Sequence, residues 1–343
     1  MKYKRVLIDR LGGPEVLQIV EDELPEPKRG EVRVRILSAG VSYADMLMRE
    51  GVHPETPHQP FTPGWDLVGV VDKLGDDAFG FKVDQRVAAL PVTGGYAEFI
   101  CLPQTELIAV PPEVDPAEAI CLVMNYVTAY QMMHRSVQAA SGQRVLIHAA
   151  TGGVGTALLQ LGRLAELEMY GTASSRNHEL VSSLGATPID YRQVDFVEEI
   201  LRLTGNGVDV VFDGIGGTHL WRSYKALRTD GRVVAYGFTS TLRGGMLTRR
   251  RSRLRGFAIP ALCMAGAALI PDKKRITVYS IQTLKRLKPA WYREDLRILI
   301  ELLSQEQIKP IIAERIPLVE VRHAHELLGH GAVKGKIVLR CYG

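Results

Sequence analysis

The chain has 343 residues, 46 % of them hydrophobic and 23 % charged, with a formal net charge of +4. That length allows roughly two domains, and the composition is that of a soluble globular protein. The charge is too small to point to nucleic acid and supports only a mild preference for anionic partners.

The opening MKYKRVLIDR alternates like a strand and lacks the apolar centre of a signal peptide. No apolar run reaches the length of about 18 residues that suggests a membrane-crossing helix. Cys101, Cys121, Cys263 and Cys341 are scattered without C-x-x-C spacing and read as small buried hydrophobes. A cytoplasmic location is therefore expected. Along residues 1–123, VRVRILSAG, DLVGVVDKLG, QRVAAL and GGYAEFICLP are short runs punctuated by Gly, Pro and Asp, the mark of an all-β unit.

The pattern then changes. RVLIHA (144–149) predicts a buried strand, and beyond the glycines Val154, Ala157, Leu158, Leu161, Leu164 and Ala165 recur at helical spacing. Strand, glycine turn and helix form the setting of a phosphate-binding loop. Backbone N–H groups across Thr151, Gly152, Gly153 and Val154 are expected to face a pyrophosphate at the positive end of the helix. Gly152 allows close approach of the phosphate, and Gly155 lets the helix pack tightly on the sheet. Ala149 stands where a first glycine is usual, and its methyl is tolerable there if φ stays negative.

Further strands are predicted at MYGTAS (169–174), TPIDY (187–191), VDVVFDG (208–214), RVVAYG (232–237) and RITVYSI (275–281). Helical NHELVSSL, DFVEEILRL and HLWRSYKAL lie between them, so an α/β fold with a doubly wound parallel Rossmann sheet is expected. The end of the second strand selects the cofactor. An acid there would bond a ribose 2′-hydroxyl, but the position is Ala173, followed by Ser174, Ser175 and Arg176. Two hydroxyls and a guanidinium suit a 2′-phosphate, so NADPH is expected over NADH. DGIGG (213–217) and YGFT (236–239) end parallel strands, where ligands bind in such sheets. The basic RRRSRLR (249–255) and apolar GFAIPALCMAGAALIP (256–271) follow as an insertion. A lid over the substrate cleft or a dimer contact is the favoured reading, and an anionic membrane surface the alternative.

Seven stretches carry a resemblance: GGPEVL (12–17), AGVSYADMLMREG (39–51), PGWDLVGVV (63–71), NYVTAY (125–130), HAATGGVG (148–155), DVVFDGIGG (209–217) and GKIVL (335–339). Together they make the chain similar to the zinc-independent quinone oxidoreductases among the medium-chain dehydrogenase/reductases. Similarity to the vesicle-membrane branch is greatest, through LVMNYVTAY, GTASSRNHE and PIDY, while polyketide-type enoyl reductases share HAA-GGVG. The resemblance implies a GroES-like β-barrel catalytic domain over 1–124 and 287–343. It implies a Rossmann domain over 125–286 with an insertion at about 240–274, and a homodimer. It places Ser42, Tyr43, Asn125 and Thr128 around the nicotinamide. Gly214, Gly237, Phe238 and Thr239 fall against the nicotinamide half and ribose, and Tyr191 near the adenosine phosphate. Asn177 takes the place of a family lysine, with Arg176 adjacent.

The zinc ligands of related alcohol dehydrogenases correspond to Ser42, Trp65 and roughly Met124, which are poor donors for zinc, so no metal is expected. His323 and His325 point to different faces of a helix and are expected at the surface or as caps. The implied reaction is hydride transfer from NADPH to a quinone or an α,β-unsaturated carbonyl. Tyr43, His53 and Asn125 are the catalytic candidates. Departures from the quinone reductases are Ser42 in place of Asn and Leu47 in place of a Tyr. His53 stands where mitochondrial enoyl-thioester reductases have a proton-donating Tyr. It is read either as a group that hydrogen-bonds or protonates a developing enolate, or as a solvated loop histidine. Two rival readings are a lipid- or membrane-associated protein that retains NADPH with little turnover, and an enoyl-thioester reductase.

Overall fold

The computed structural model describes residues 1–237, 273–331 and 333–342. Phe238, Thr239, Cys263 and the basic and apolar stretch at 249–271 lie outside them. The chain divides into two compact units, Met1–Val127 with Ala290–Gly343, and Thr128–Pro289.

The first unit is β-rich, as its punctuated strand pattern predicts. Its spine is Glu31–Val41, whose Val32, Val34 and Ile36 are completely buried. This strand pairs antiparallel with Leu67–Leu74, Phe99–Pro103 and Lys336–Arg340, and the sheet extends on through Arg86–Ala89, Ile108–Ala109 and Ile312–Pro317. The spine runs directly into the helix Tyr43–Arg49. Ser42 and Asp45 start that helix with a reciprocal capping box, each side chain satisfying the other's backbone N–H.

The second unit carries a fully parallel sheet. Its strands lie in the order Ala186–Asp190, Glu168–Ala173, Arg144–Ile147, Val208–Asp213, Leu227–Ala235 and Arg275–Val278. The chain moves outward from Arg144–Ile147 on one side, then crosses to Val208–Asp213 on the other. That reversal is the switch point at which doubly wound sheets bind ligands. Leu146, Phe196, Ile200, Val211, Leu220 and Val233 form the core that fixes the strand ends there. One predicted core residue is misplaced. Leu164 is 43 % exposed, because it ends the helix Gly153–Leu164 where the chain turns toward the next strand.

Candidate functional site

The glycine loop begins with a departure from expectation. Ala149 has φ of 51°, not a negative value. The turn needs a left-handed residue here, and Gly152 N–H closes it onto the Ala149 carbonyl at 2.9 Å. The methyl group is tolerated because it points to solvent. Gly155 has no such freedom: a Cβ there would lie 2.3 Å from the Ala149 carbonyl oxygen. At Gly152 a Cβ would meet nothing nearer than 3.4 Å. Gly152 caps the helix Gly153–Leu164 in extended conformation with no side-chain hydrogen bond, so the first N–H groups stay available for an anion. Thr151, Gly153 and Val154 are half-buried beside it.

At the second strand end, Ala173 pairs with Asp190 in register and leaves no acid for a ribose. Asp190 instead ties two turns together. Its Oδ2 accepts from Ser175 N–H and its Oδ1 from Arg192 N–H, each at 3.0 Å. Ser174 is buried, whereas Arg176 is exposed on the first turn. Tyr191 is exposed on the second, with the Arg192 guanidinium 5.7 Å from its ring centroid. Each turn thus presents an arginine, and sequence reasoning passed over Arg192. Asn177 reaches Thr151 Oγ1 at 3.5 Å, while its buried Oδ1 has no hydrogen-bond partner. A buried acceptor without a donor beside a phosphate-type loop fits a sugar hydroxyl.

The third group holds the turn after Val208–Asp213. Asp213 Oδ1 accepts from the N–H groups of Ile215 at 2.8 Å and Gly216 at 3.0 Å. Its Oδ2 accepts from Ser223 Oγ at 2.7 Å and His219 Nδ1 at 3.1 Å. Because the Ser223 proton goes to Asp213, His148 donates from Nε2 to Ser223 at 3.2 Å, and its Nδ1 accepts from Thr172 at 3.0 Å. Burial alone would raise the Asp213 carboxyl, but the His219 hydrogen bond and the two nearby imidazoles hold it well below the usual range. Burial lowers His148 to about 3, so it stays neutral. The facing atoms of His148, Asp213 and His219 lie within 4.8 Å of one another, but hydrogen bonds within the protein account for them. Past the turn, a Cβ on Gly237 would lie 2.4 Å from the Gly214 carbonyl oxygen. These two strand ends approach as closely as glycine permits.

In the first unit, Asp45 binds two loops. It accepts from Ser42 Oγ at 2.6 Å and Ser42 N–H at 2.9 Å, and from Gly64 N–H at 3.1 Å. Burial, with Asp66 nearby, raises its carboxyl to about 7. Asp66 is itself paired with Lys336 at 2.8 Å, both almost fully buried. Tyr43 donates its hydroxyl proton to the Leu328 carbonyl at 3.2 Å, and burial raises its phenol. Asn125 is buried in a π-helical stretch, Leu122–Tyr126, a local form frequent at functional sites. Thr128, in the second unit, is buried in the helix Val127–Tyr130.

One expectation for a histidine changes, and a second is sharpened. His53 lies half-buried on its loop, its ring packed edge to face on Trp65 at 5.1 Å. Burial lowers it to about 4, so near neutral pH it is a neutral donor and not a cationic acid. His325 is not at the surface but 1 % exposed, accepting from Arg49 at 3.0 Å and lying 3.4 Å from the Tyr96 hydroxyl. His323 is exposed on the same helix. The positions that resemble zinc ligands do not form a zinc donor set. Ser42 is engaged with Asp45, Trp65 is a buried indole and Met124 is a half-buried thioether.

Residues 184–339 match the zinc-binding dehydrogenase family, and residues 28–112 match the alcohol dehydrogenase GroES-like domain. The synaptic vesicle membrane protein VAT-1 homolog of Rattus norvegicus is 32 % identical over 322 residues, covering 92 % of this chain and 78 % of that protein. The quinone oxidoreductase of Homo sapiens is 28 % identical over 342 residues, covering 98 % and 97 %. The structure of Escherichia coli quinone oxidoreductase complexed with NADPH superposes with a TM-score of 0.86 at 25 % identity, covering 98 % of this chain and 99 % of that one. A GroES-like unit joined to a Rossmann unit, with relatives of this kind along nearly its whole length, places the chain in the medium-chain dehydrogenase/reductase family, in its quinone oxidoreductase-like branch.

Proposed function

We propose that this chain is a zinc-free, NADPH-dependent oxidoreductase that reduces quinones or α,β-unsaturated carbonyls by hydride transfer. The observation that carries the reading is the uncapped helix start at Gly153, together with a second strand that ends in Ala173 and an arginine-bearing turn. NADPH in complex with the Escherichia coli relative supports the same cofactor. The backbone from Thr151 to Val154 would hold the pyrophosphate. Ser174, Arg176, Arg192 and Tyr191 would surround the 2′-phosphate, with Asn177 Oδ1 accepting from a sugar hydroxyl. Gly214 and Gly237 follow the strand ends at which the nicotinamide half would lie, and Thr128 belongs to the same unit. NADPH when bound supplies the hydride. The protein's own residues bind it, orient it and exclude water.

Titration of the protein with NADPH and NADH, then steady-state NADPH oxidation with a panel of quinones and enones after EDTA dialysis, tests the proposal. Preference for NADPH and activity that survives dialysis are expected. Equal affinity for the two cofactors, or stoichiometric zinc whose removal abolishes activity, would overturn it. Similarity to a synaptic vesicle membrane protein favours a second reading, a membrane-surface protein that retains NADPH with little turnover. Among the described residues no helix is long and apolar enough to cross a membrane, so vesicle flotation is the discriminating measurement.

A further inference from the structure

Asp190 ends the strand Ala186–Asp190 at the edge of the parallel sheet and is 8 % exposed. Its ladder partner Ala173 forms the last pair between the two strands, and a turn leaves each strand from there. The first, Ser175–Asn177, is a 3₁₀ turn closed by Asn177 N–H on the Ser174 carbonyl at 2.8 Å. The second closes when Gln193 and Val194 N–H donate to the Asp190 carbonyl at 3.0 and 3.1 Å. Arg176 is exposed on the first turn and Arg192 on the second. The Asp190 side chain spans them. Its Oδ2 accepts from Ser175 N–H and its Oδ1 from Arg192 N–H, each at 3.0 Å. One arginine and the neighbour of the other are thus fixed on the two oxygens of a single carboxylate.

Two N–H donors that meet one side chain need two acceptor oxygens. A carboxylate has both, whereas an amide has one and would turn its NH₂ toward the other N–H. The Arg192 N–H, with that of Ser175 and the nearby His178, holds the carboxyl below the usual range, although burial works the other way. Asp190 is therefore ionised near neutral pH. An acid at the end of the second strand would bond a ribose hydroxyl and favour NADH. Here the acid sits one strand further out, with its oxygens turned to the protein's own N–H groups. Its charge disfavours an anion bound nearby, but its two bonds order the backbone that carries the arginines. An arginine on a loose turn loses backbone and side-chain freedom on binding, and one on a fixed turn loses only the latter.

We infer that Asp190 is the positioning residue for recognition of the cofactor's 2′-phosphate, its carboxylate tying the Ser175–Arg176 backbone to that of Arg192. This rests on the reading of Arg176 and Arg192 as groups that surround the 2′-phosphate. Asp190 acts through these two arginines and makes no bond to the phosphate. Order and repulsion work in opposite directions on NADPH, so the sign of one substitution tells which is larger.

Isothermal titration of the full chain with NADPH and with NADH is the test. Asp190→Asn removes the charge and one of the two bonds at nearly constant shape, and Asp190→Ala removes both bonds. NADPH is expected to bind about tenfold more weakly to Asp190→Asn, the scale of one lost charge-assisted bond, and more weakly again to Asp190→Ala. NADH affinity should stay unchanged in both. Arg176→Ala and Arg192→Ala should each weaken NADPH in the parent, and by clearly less in the Asp190→Ala background, because a released turn no longer presents its arginine. Should Asp190→Ala not fold, the same pairs built on Asp190→Asn decide the question. A merely structural role would weaken both cofactors alike and leave the arginine effects undiminished, and either result overturns the inference. So does NADPH affinity that is unchanged or higher in Asp190→Asn, which would mean that the carboxylate acts by repulsion alone. A parent that binds NADPH and NADH equally overturns the cofactor reading, and this inference with it.

Discussion

Ala149 carries its methyl group on a left-handed backbone, which costs an L-residue about 1–2 kcal/mol. Glycine would remove that strain but loses about 0.5–1 kcal/mol to its own flexibility in the unfolded chain. Ala149→Gly is therefore expected to leave the protein as stable or slightly more so, by up to about 1.5 kcal/mol on the same balance. Thermal unfolding checks this, and a clear fall in Tm would mean the methyl makes contacts of its own. Arg176 is exposed on the turn after the second strand, where we propose that it meets the 2′-phosphate. Arg176→Ala should weaken NADPH by about 1.5 kcal/mol, the lower end for a charge-assisted bond because solvent screens it. NADH should be unaffected, and isothermal titration of both cofactors makes the comparison. Of these residues, the place of Arg176 on the turn after the second strand was legible because that strand is. The sign of φ at Ala149 was not, since a glycine-like position can hold alanine wherever the methyl meets only water.

Elements of the second unit could be read almost in full, because fully buried parallel strands are continuous apolar runs broken by glycine. What the sequence could not show is what reaches each element from elsewhere. The buried face of His325 exists only because Tyr96 and Arg49, from distant parts of the chain, pack on it. Two partners of Asp213, His219 and Ser223, likewise come from the later helix His219–Lys225. The π-helical turn at Leu122–Tyr126 shares the apolar pattern of an α-helix and differs only in hydrogen-bond register. Contact between the helix Gly153–Leu164 and its glycine loop gives the sharpest test at this scale. A Cβ on Gly155 meets backbone, the Ala149 carbonyl oxygen at 2.3 Å and Ala150 at 2.7 Å, so no side chain can swing aside. Gly155→Ala should cost about 1–3 kcal/mol, as overpacking does, and weaken NADPH because the helix start moves away from the loop. Urea unfolding and cofactor titration on the same preparation measure the two effects. A variant that keeps full stability would show that the helix can retreat without strain.

Across the whole molecule, burial sets a pH dependence with two opposing parts. His53 is held down to about 4, and His148 and His325 to about 3, each mainly by burial. An unfolded histidine takes its proton near pH ~6.5. The stability these three contribute is therefore complete above that pH and is lost as pH falls through their folded values. Asp45 runs the other way. Burial raises it to about 7, against about 3.9 in the unfolded chain, so its contribution is complete at low pH and is lost as pH rises through 7. From pH ~6.5 down to ~4.5, three histidines act against one aspartate, before most other carboxylates begin to titrate. Net stability should fall with acid in that window. Each fully buried group contributes a slope of up to about 1.4 kcal/mol per pH unit. The unfolding free energy from urea titrations is expected to peak a little above pH ~7 and to fall steeply toward pH ~4.5. His325→Gln, which cannot take up a proton, should flatten that acid limb by about one group's slope even if it lowers stability at pH 7. An unchanged limb would mean that His325 accepts its proton inside the fold, against the guanidinium of Arg49 only 3.0 Å away.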